Sequence, residues 1–201
     1  MKEWTRKERY RKIEEVSPEY LVNLANQVEK SVYRQTYHIQ PPTGLLNDPN
    51  GFSYFNGQWH LFYQWFPLGP VHGLKYWYHV VSDDLVHWEN CGVGISPSTK
   101  YDSHGAYSGS GLVDKNQLHL MYTGNTRSKN WSRTPHQLMA IMDKSGQIKK
   151  SKSLSLKEFQ RVIQIILEIL KCGNTRGIIM PLSVQKERII LGLHLCINQK
   201  I

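Results

Sequence analysis

The 201-residue sequence is poor in cysteine and has no long apolar run. It contains three cysteines, Cys91, Cys172 and Cys196, and no CxxC pair. This odd and sparse count argues against a disulfide framework or a zinc site, and it fits a reducing compartment. The longest apolar stretches, near 162–170 and 189–197, are too short and interrupted to span a bilayer. We therefore expect no metal, no cofactor and no membrane association.

The N-terminal end lacks the apolar segment of a signal peptide, which predicts a cytoplasmic protein. The net charge of +9 would suit a nucleic-acid partner, but it is unevenly distributed. Residues 151–201 hold eight basic and three acidic residues, a net +5, whereas all six Trp and all eleven Tyr precede them. Because no RGG segment, zinc finger or helix-turn-helix pattern occurs, we expect no nucleic-acid partner.

The first part of the chain predicts a helix followed by a region of short strands. Ser17-Pro18 is typical of a helix start, with serine as the N-cap and proline in the first turn. Apolar residues then recur at helical spacing, which predicts a helix over about 18–30. We assign residues 1–36 to an N-terminal helical extension and residues 37–150 to a β-domain.

Short apolar and aromatic runs between turn residues predict an all-β domain. Asn56-Gly57 between two such runs is a strong hairpin signal. The predicted strands are 51–55, 58–65, 75–82, 106–113, 117–123 and 137–142. The hairpin that begins at Gly51 resembles one that begins 60 residues later, since each ends in His-Leu-apolar-Tyr. This repetition favours a propeller, although two unrelated hairpins would give the same likeness.

Asp48 is the first carboxylate to consider as a catalytic group. It stands in LNDPNG at 46–51, and these residue types also form ordinary turns before a strand. Aromatic and amide side chains are dense near the predicted strand ends of the first 125 residues. Rings that stack on sugar faces and amides that bind hydroxyls are what a sugar site needs. The candidates are Gln64, Trp65, Tyr107 and Ser108.

Five motifs occur in the order in which one enzyme family has them. They are HIQPPTGLLNDPNG at 38–51, FYQWFP at 62–67, SDDLVHW at 82–88, YSG at 107–109 and YTGN at 122–125. Together they resemble glycoside hydrolase family 32, the β-fructofuranosidases, which include invertases and bacterial sucrose-6-phosphate hydrolases. The resemblance covers roughly three quarters of the chain, residues 1–150.

The resemblance implies a five-bladed β-propeller, represented here by its first blades after the N-terminal helix. It implies hydrolysis of the fructosyl bond of sucrose or sucrose 6-phosphate with retention, with Asp48 as the nucleophile. The motifs fit these two sugars equally. The implied substrate-binding residues are Leu46, Asn47, Gln64, Tyr107 and Ser108.

Two further motifs of the family are missing from this sequence. A retaining glycosidase needs a second carboxyl group as general acid and base. The family supplies it from a Glu-Cys motif and adds a stabilising aspartate from Arg-Asp-Pro, and neither motif occurs here. We expect the truncated chain to be inactive as a hydrolase. The alternative is a non-catalytic fructoside-binding module.

The C-terminal part of the sequence is consistent with a shifted reading frame. Residues 166–173 can be encoded as ATT-TTA-GAG-ATC-CTA-AAG-TGT-GGN. Read one base out of register, these codons give Phe-Arg-Asp-Pro-Lys-Val-Trp, which contains the missing motif. We therefore interpret 151–201 as a frameshifted, aberrant tail and not a native domain, with the shift near the lysine-rich segment 148–152.

Overall fold

Two short helices precede the strands of the protein. The computed structural model describes residues 2–151, and the remainder of the predicted tail lies outside them. The helices are α1, Arg6–Arg9, and α2, Pro18–Glu29, with a 3-10 turn at Ile13–Glu15 between them. The helix prediction for 18–30 is confirmed, and the Ser17 hydroxyl caps α2 by accepting from the Tyr20 N–H at 3.3 Å. No helix within the described part is long and apolar enough to cross a membrane.

The strands of the described region form two four-stranded antiparallel sheets. In each sheet every strand pairs with its neighbour in sequence, so the orders are β1-β2-β3-β4 and β5-β6-β7-β8. The strands are β1 Leu45–Phe55, β2 Gln58–Phe66, β3 Tyr76–Ser82, β4 Glu89–Ile95, β5 Ala106–Asp114, β6 Gln117–Arg127, β7 Arg133–Met142 and β8 Ile148–Lys150. The β-sheet architecture is thus confirmed, and β4 and β8 are strands that the sequence pattern did not predict.

The first hairpin confirms one turn prediction and corrects another. Asn56 and Gly57 have φ of 52° and 87° and join β1 to β2, as a two-residue hairpin turn requires. The segment 46–51, however, is not a separate turn before a strand, because it lies inside β1. Its turn-forming residues instead produce two register shifts, which bend the strand.

The main apolar core lies between the two sheets. Phe62 and Trp77 from the first sheet pack with Leu120 and Tyr122 from the second, and all four are almost fully buried. Gly111 allows β5 to approach β1, since a Cβ at that position would lie 2.8 Å from the Gly51 carbonyl oxygen. This close approach brings the inner strands of the two sheets together.

A second apolar cluster covers the other face of the first sheet. It contains Tyr63 and Tyr76, and Ile13 from the N-terminal segment packs against it. The Ile13 N–H donates to the Tyr76 hydroxyl at 2.9 Å, and the Leu74 N–H donates to the Arg9 carbonyl at 2.7 Å. The N-terminal segment is therefore part of the packed structure.

A buried carboxylate in the segment between β4 and β5 pairs with the last described strand, β8. Asp102 is fully buried and accepts from the Tyr122 hydroxyl at 2.9 Å and from the Thr99 N–H at 2.6 Å. The Lys150 ammonium forms an ion pair with the same side chain. Because an unpaired buried carboxylate would be costly, this contact makes β8 an integral element up to Lys150.

Candidate active site

The candidate site lies where the two sheets meet at one end. The start of β1, the end of β2 and the start of β3 are in register, since Asn47 pairs with Gln64 and Gln64 with Trp77. The Trp77 indole N–H donates to the Tyr107 carbonyl at 3.0 Å, and the Ala106 N–H donates to the carbonyl of Lys75 at 2.8 Å. These two bonds hold the start of β5 against the start of β3.

Asp48, Gln64 and Ser108 form a hydrogen-bonded triangle at this end. The Ser108 hydroxyl donates to Asp48 Oδ2 at 2.7 Å, and Gln64 Nε2 donates to the same oxygen at 3.1 Å. Gln64 Nε2 also lies 2.7 Å from Ser108 Oγ. Gln64 is buried, whereas Asp48 and Ser108 are exposed. The triangle therefore presents a carboxylate to solvent while holding one of its oxygens in place.

Two strand irregularities bring these side chains together. β1 shifts register between Asn47 and Pro49, and β5 shifts between Tyr107 and Gly109. Asp48 and Ser108 are the residues inside these shifts, so both leave the regular alternation of their strands. The bulges aim the two side chains at each other from different sheets, 60 positions apart in the sequence.

Asn50 connects the two bulges and was not identified from the sequence. Its side chain is buried, and its Nδ2 donates to the Asp48 carbonyl at 2.5 Å. Its Oδ1 accepts from the Gly109 N–H at 2.8 Å. The amide thus satisfies one backbone group on each strand and fixes their spacing. An asparagine within a turn-like motif gives no indication of this role.

Lys75 is a second site residue that the sequence analysis missed. It is only 2% exposed, and its ammonium donates to Asn47 Oδ1. Burial lowers the pKa of Lys75 to about 8, and the negative charge of Asp48 opposes this effect. A lysine with this pKa is mostly charged at pH 7. Lys75 directly precedes the aromatic residues of β3, and nothing in that sequence marks it as functional. Only its burial in the structure identifies it as a site residue.

The structure places the remaining predicted residues in different surroundings. Asn47 joins the site through Lys75, as described above. Leu46 packs against the second apolar cluster, which includes Tyr63. The Tyr107 side chain interacts with the phenol of Tyr10. Burial, together with that neighbour, raises the pKa of Tyr107 to about 12.

The site can bind a polyhydroxylated ligand and supply an oxygen nucleophile. Asp48 offers an exposed carboxylate, and the surrounding amides and hydroxyl can donate to or accept from sugar hydroxyl groups. No group of three metal-ligating side chains occurs among residues 2–151. What the described residues show at the site is an oriented carboxylate with polar neighbours.

Comparison with known proteins identifies relatives over most of the described region. The sequence profile of the glycosyl hydrolases family 32 N-terminal domain matches residues 38–161. The chain is 56% identical over 147 residues to a sucrose-6-phosphate hydrolase of Lactococcus lactis, and 53% identical over 150 residues to one of Staphylococcus xylosus. These alignments cover 73% and 75% of the chain but 31% and 30% of the relatives.

Solved structures give the same result. The structure of sucrose-6-phosphate hydrolase from Lactobacillus gasseri matches with a TM-score of 0.73 and 50% identity, over 75% of this chain and 31% of that one. A Bombyx mori GH32 β-fructofuranosidase mutant in complex with sucrose matches with a TM-score of 0.58 and 34% identity, over 68% and 28%. The chain thus spans about a third of the length of the relatives it matches.

Proposed function

The chain belongs to glycosyl hydrolase family 32, and from this premise we propose that it carries the nucleophile and part of the fructosyl-binding site of a sucrose-6-phosphate hydrolase. The observation that carries this proposal is the contact of Asp48 with Ser108 and Gln64. It places a solvent-facing carboxylate among side chains that suit a sugar.

The two donors to Asp48 suggest which oxygen reacts. Ser108 and Gln64 both donate to Oδ2, and no hydrogen bond within residues 2–151 reaches Oδ1. We assign Oδ1 as the atom that attacks the anomeric carbon of the fructosyl unit. The bond to the glucosyl oxygen then breaks, and that oxygen takes a proton from a general acid. Water later releases fructose, with retention of configuration.

The general acid is the part that the described residues do not bring to the site. The only carboxylate hydrogen-bonded into the triangle, within residues 2–151, is Asp48. Because a retaining mechanism needs a second carboxyl group about 5–5.5 Å away, we expect this chain to turn over sucrose and sucrose 6-phosphate very slowly or not at all. The two sheets would be the first blades of a five-bladed propeller, and the later blades would complete the site.

A second part of the proposal concerns the reading frame of the gene in the region that encodes the C-terminal tail. We propose that the codons after about Lys149 encode the family's Arg-Asp-Pro motif in a second frame, which this polypeptide does not use. Sequencing the gene across codons 148–173 tests this directly. A second frame that lacks Arg-Asp-Pro at that place would refute the frameshift, without affecting the assignment of Asp48.

A chimera tests the function of the folded part. Residues 1–150 would replace the matching part of the Lactococcus lactis sucrose-6-phosphate hydrolase, which supplies the rest of that enzyme. We expect the chimera to hydrolyse sucrose 6-phosphate and Asp48→Asn to lower kcat by about 10⁴-fold or more, as the loss of a covalent nucleophile does. Asp83→Asn, an exposed carboxylate away from the triangle, is the matched control.

The alternative of a non-catalytic fructoside-binding module gives a different result. A folded chimera that binds fructosides but shows no turnover would favour this module. Calorimetry on the 201-residue chain then tests whether fructosides bind at the proposed site. Fructoside affinity that does not depend on Ser108→Ala or Gln64→Ala would contradict the proposed site altogether.

A further inference from the structure

Two arginines, Arg6 and Arg127, lie over the Trp131 ring, and a third, Arg133, pairs with Arg127 across the second sheet. Arg6 belongs to α1, whereas Arg127 ends β6 and Arg133 begins β7. The Arg6 and Arg127 guanidinium carbons lie 4.2 and 5.5 Å from the Trp131 ring centroid. Arg127 and Arg133 are directly paired across the two strands. Helix α1 and the β6–β7 hairpin therefore converge on one cationic surface, the arginine cluster.

No acidic side chain of residues 2–151 forms an ion pair with the arginine cluster. The ion pairs within residues 2–151 involve other residues, and none includes Arg6, Arg127 or Arg133. Like charges directly opposite each other on neighbouring strands are destabilising. Arg127 uses one N–H to bond the Trp131 carbonyl at 3.0 Å, which leaves further donors for a ligand. An anion between the strands would relieve the repulsion.

The loop that carries Trp131 holds a strained conformation. Trp131 has φ of 65°, in the left-handed region that bulky side chains rarely adopt. Its N–H donates to the Ser128 carbonyl at 2.9 Å, and the Ser132 N–H donates to the Ser128 hydroxyl at 3.1 Å. The strain is thus maintained by the loop's own bonds, and the indole lies within reach of both Arg6 and Arg127. Such strain concentrates at ligand sites.

The arginine cluster is continuous with the candidate active site. Tyr107 pairs with Thr123 of β6, and Thr123 lies four residues before Arg127. At the rise of a β-strand, Arg127 is therefore about 13 Å farther along β6 than the position opposite Tyr107. Arg127 and Arg133 both stabilise the ionised form of the Tyr107 phenol, which places them within electrostatic reach of it. Tyr10, the neighbour of Tyr107, packs edge-on against Trp131 at 5.1 Å. Ser108, next to Tyr107 in sequence, contacts Asp48.

We propose that the arginine cluster binds the phosphate monoester of a phosphorylated fructoside whose fructosyl unit occupies the Asp48 site. The inference rests on the proposed function and selects the phosphorylated sugar over the neutral one. Arginine forks match phosphate oxygens bidentately, and two or three of them offset a dianion. The phosphate would sit on the sugar that departs, because the cluster lies beyond the residues that hold the fructosyl unit.

Calorimetry on the full chain tests this site with three probes, namely sucrose 6-phosphate, sucrose and inorganic phosphate. The chain has six tryptophans, so a fluorescence change on binding that is lost in Trp131→Phe gives a second readout at the cluster itself. We expect sucrose 6-phosphate to bind about 10- to 100-fold more tightly than sucrose, as hydrogen bonds to a charged group allow. Arg133→Gln and the double variant Arg127→Gln/Arg133→Gln should remove this difference and leave sucrose affinity unchanged. Lys144→Gln, in the β7–β8 turn at the far end of the sheet, is the control.

The outcomes separate this proposal from the proposed function. Equal affinities for the two sugars, or a preference that persists in both arginine variants, would overturn the phosphate site while the fructosyl site stands. If neither sugar binds, the fructosyl site has failed. Arginine-dependent binding of inorganic phosphate would then still support the anion site, and its absence would overturn that site too. Arg133→Gln disturbs no described hydrogen bond, so a folding defect is not expected.

Discussion

Lys75 and Asp48 are two charged residues of one site that occupy opposite environments. Asp48 is exposed, whereas Lys75 is buried and keeps its ammonium against Asn47. Burying a charge costs desolvation energy, which the attraction to Asp48 and one hydrogen bond offset only in part. We attribute the costly burial of Lys75 to a role in orienting Asn47. With Oδ1 of Asn47 held by the lysine, its Nδ2 group is left to donate to a ligand.

Lys75→Met therefore should separate binding from stability. We expect fructoside affinity to fall about tenfold, since the amide of Asn47 loses its fixed orientation and one charged hydrogen bond is lost. The thermal midpoint should stay the same or rise, because an apolar side chain of similar length avoids the desolvation cost. Calorimetry and thermal unfolding measure the two effects. Lys149→Met, at an exposed position of β8, is the control, and unchanged affinity in Lys75→Met would contradict this role.

The sequence predicted part of the site at the residue scale. Asp48, Gln64 and Ser108 were identified by their motifs, and the structure brings them together. Asn50 and Lys75 were missed because their roles depend on burial and on strand bulges, which no local pattern reports. The arginine cluster joins residues that lie up to 127 positions apart, from Arg6 to Arg133. Its existence depends on how the N-terminal segment packs.

At the element scale, a buried histidine pair connects β2 to β3. His60 Nε2 donates to the Phe55 carbonyl at 3.0 Å, so Nδ1 of the neutral ring accepts from His79 Nε2 at 2.9 Å. The Phe62 ring stacks on His79 at 4.4 Å. Burial lowers the pKa of both histidines, and burial together with His60 lowers that of His79 to about 3. This hydrogen-bonded arrangement of His60 and His79 requires both imidazole rings to be neutral.

This pair predicts acid sensitivity of the first sheet. An unfolded histidine takes up a proton near pH 6.5, whereas folded His79 resists until about pH 3, so stability is lost as the pH falls between these values. From pH 7 to 5, His79 alone should cost about 2 kcal/mol of unfolding free energy. Urea unfolding at the two pH values measures it.

The matched variants for this test are His79→Gln and His38→Gln. Glutamine keeps an N–H donor without a titrating group, so the pH dependence should shrink by about 2 kcal/mol in His79→Gln. It should not change in His38→Gln, whose side chain is exposed. An identical slope in wild type and His79→Gln would show that the buried pair does not govern acid unfolding.

The strands differ in how well the sequence predicted them. β2 and β6 have alternating or continuous apolar residues; the predicted bounds of β2 are within one residue of the observed ones, whereas β6 extends four residues beyond its predicted end. β4 was missed because ENCGVGI contains two glycines and is largely exposed, so it has no apolar period. It is a strand because β3 offers it a free edge. β8 is short, and it depends on the ion pair of Lys150 with Asp102.

At the scale of the whole molecule, an aromatic patch on β1 of the first sheet remains exposed in the described part. Phe52 and Tyr54 are 51% and 55% exposed. Both pack on the Trp59 ring, at centroid distances of 5.3 and 4.9 Å. Contiguous exposed aromatic residues of this kind mark a surface that another element normally covers. In the proposed propeller, a later blade would lie against this aromatic face.

The aromatic face predicts self-association of the isolated chain. Phe52→Ser/Tyr54→Ser should raise the monomer fraction, since it removes apolar area without touching the core. Light scattering after size exclusion measures the change across a concentration series. Tyr33→Ser, which removes an aromatic ring that is 87% exposed elsewhere, serves as control. If both variants associate as the wild type does, the aromatic face is not the contact surface.

The sequence by itself determined the family, the helix at α2, most strands and the motif residues around Asp48. These depend on local chemistry, such as a serine cap, an Asn-Gly turn and strand periodicity, which short segments encode on their own. Only the tertiary structure decided which polar groups share the site. Bulges in β1 and β5 bring Asp48 and Ser108 together, and packing buries Lys75 and gathers the arginine cluster, because contacts between distant segments depend on the sheets that hold them.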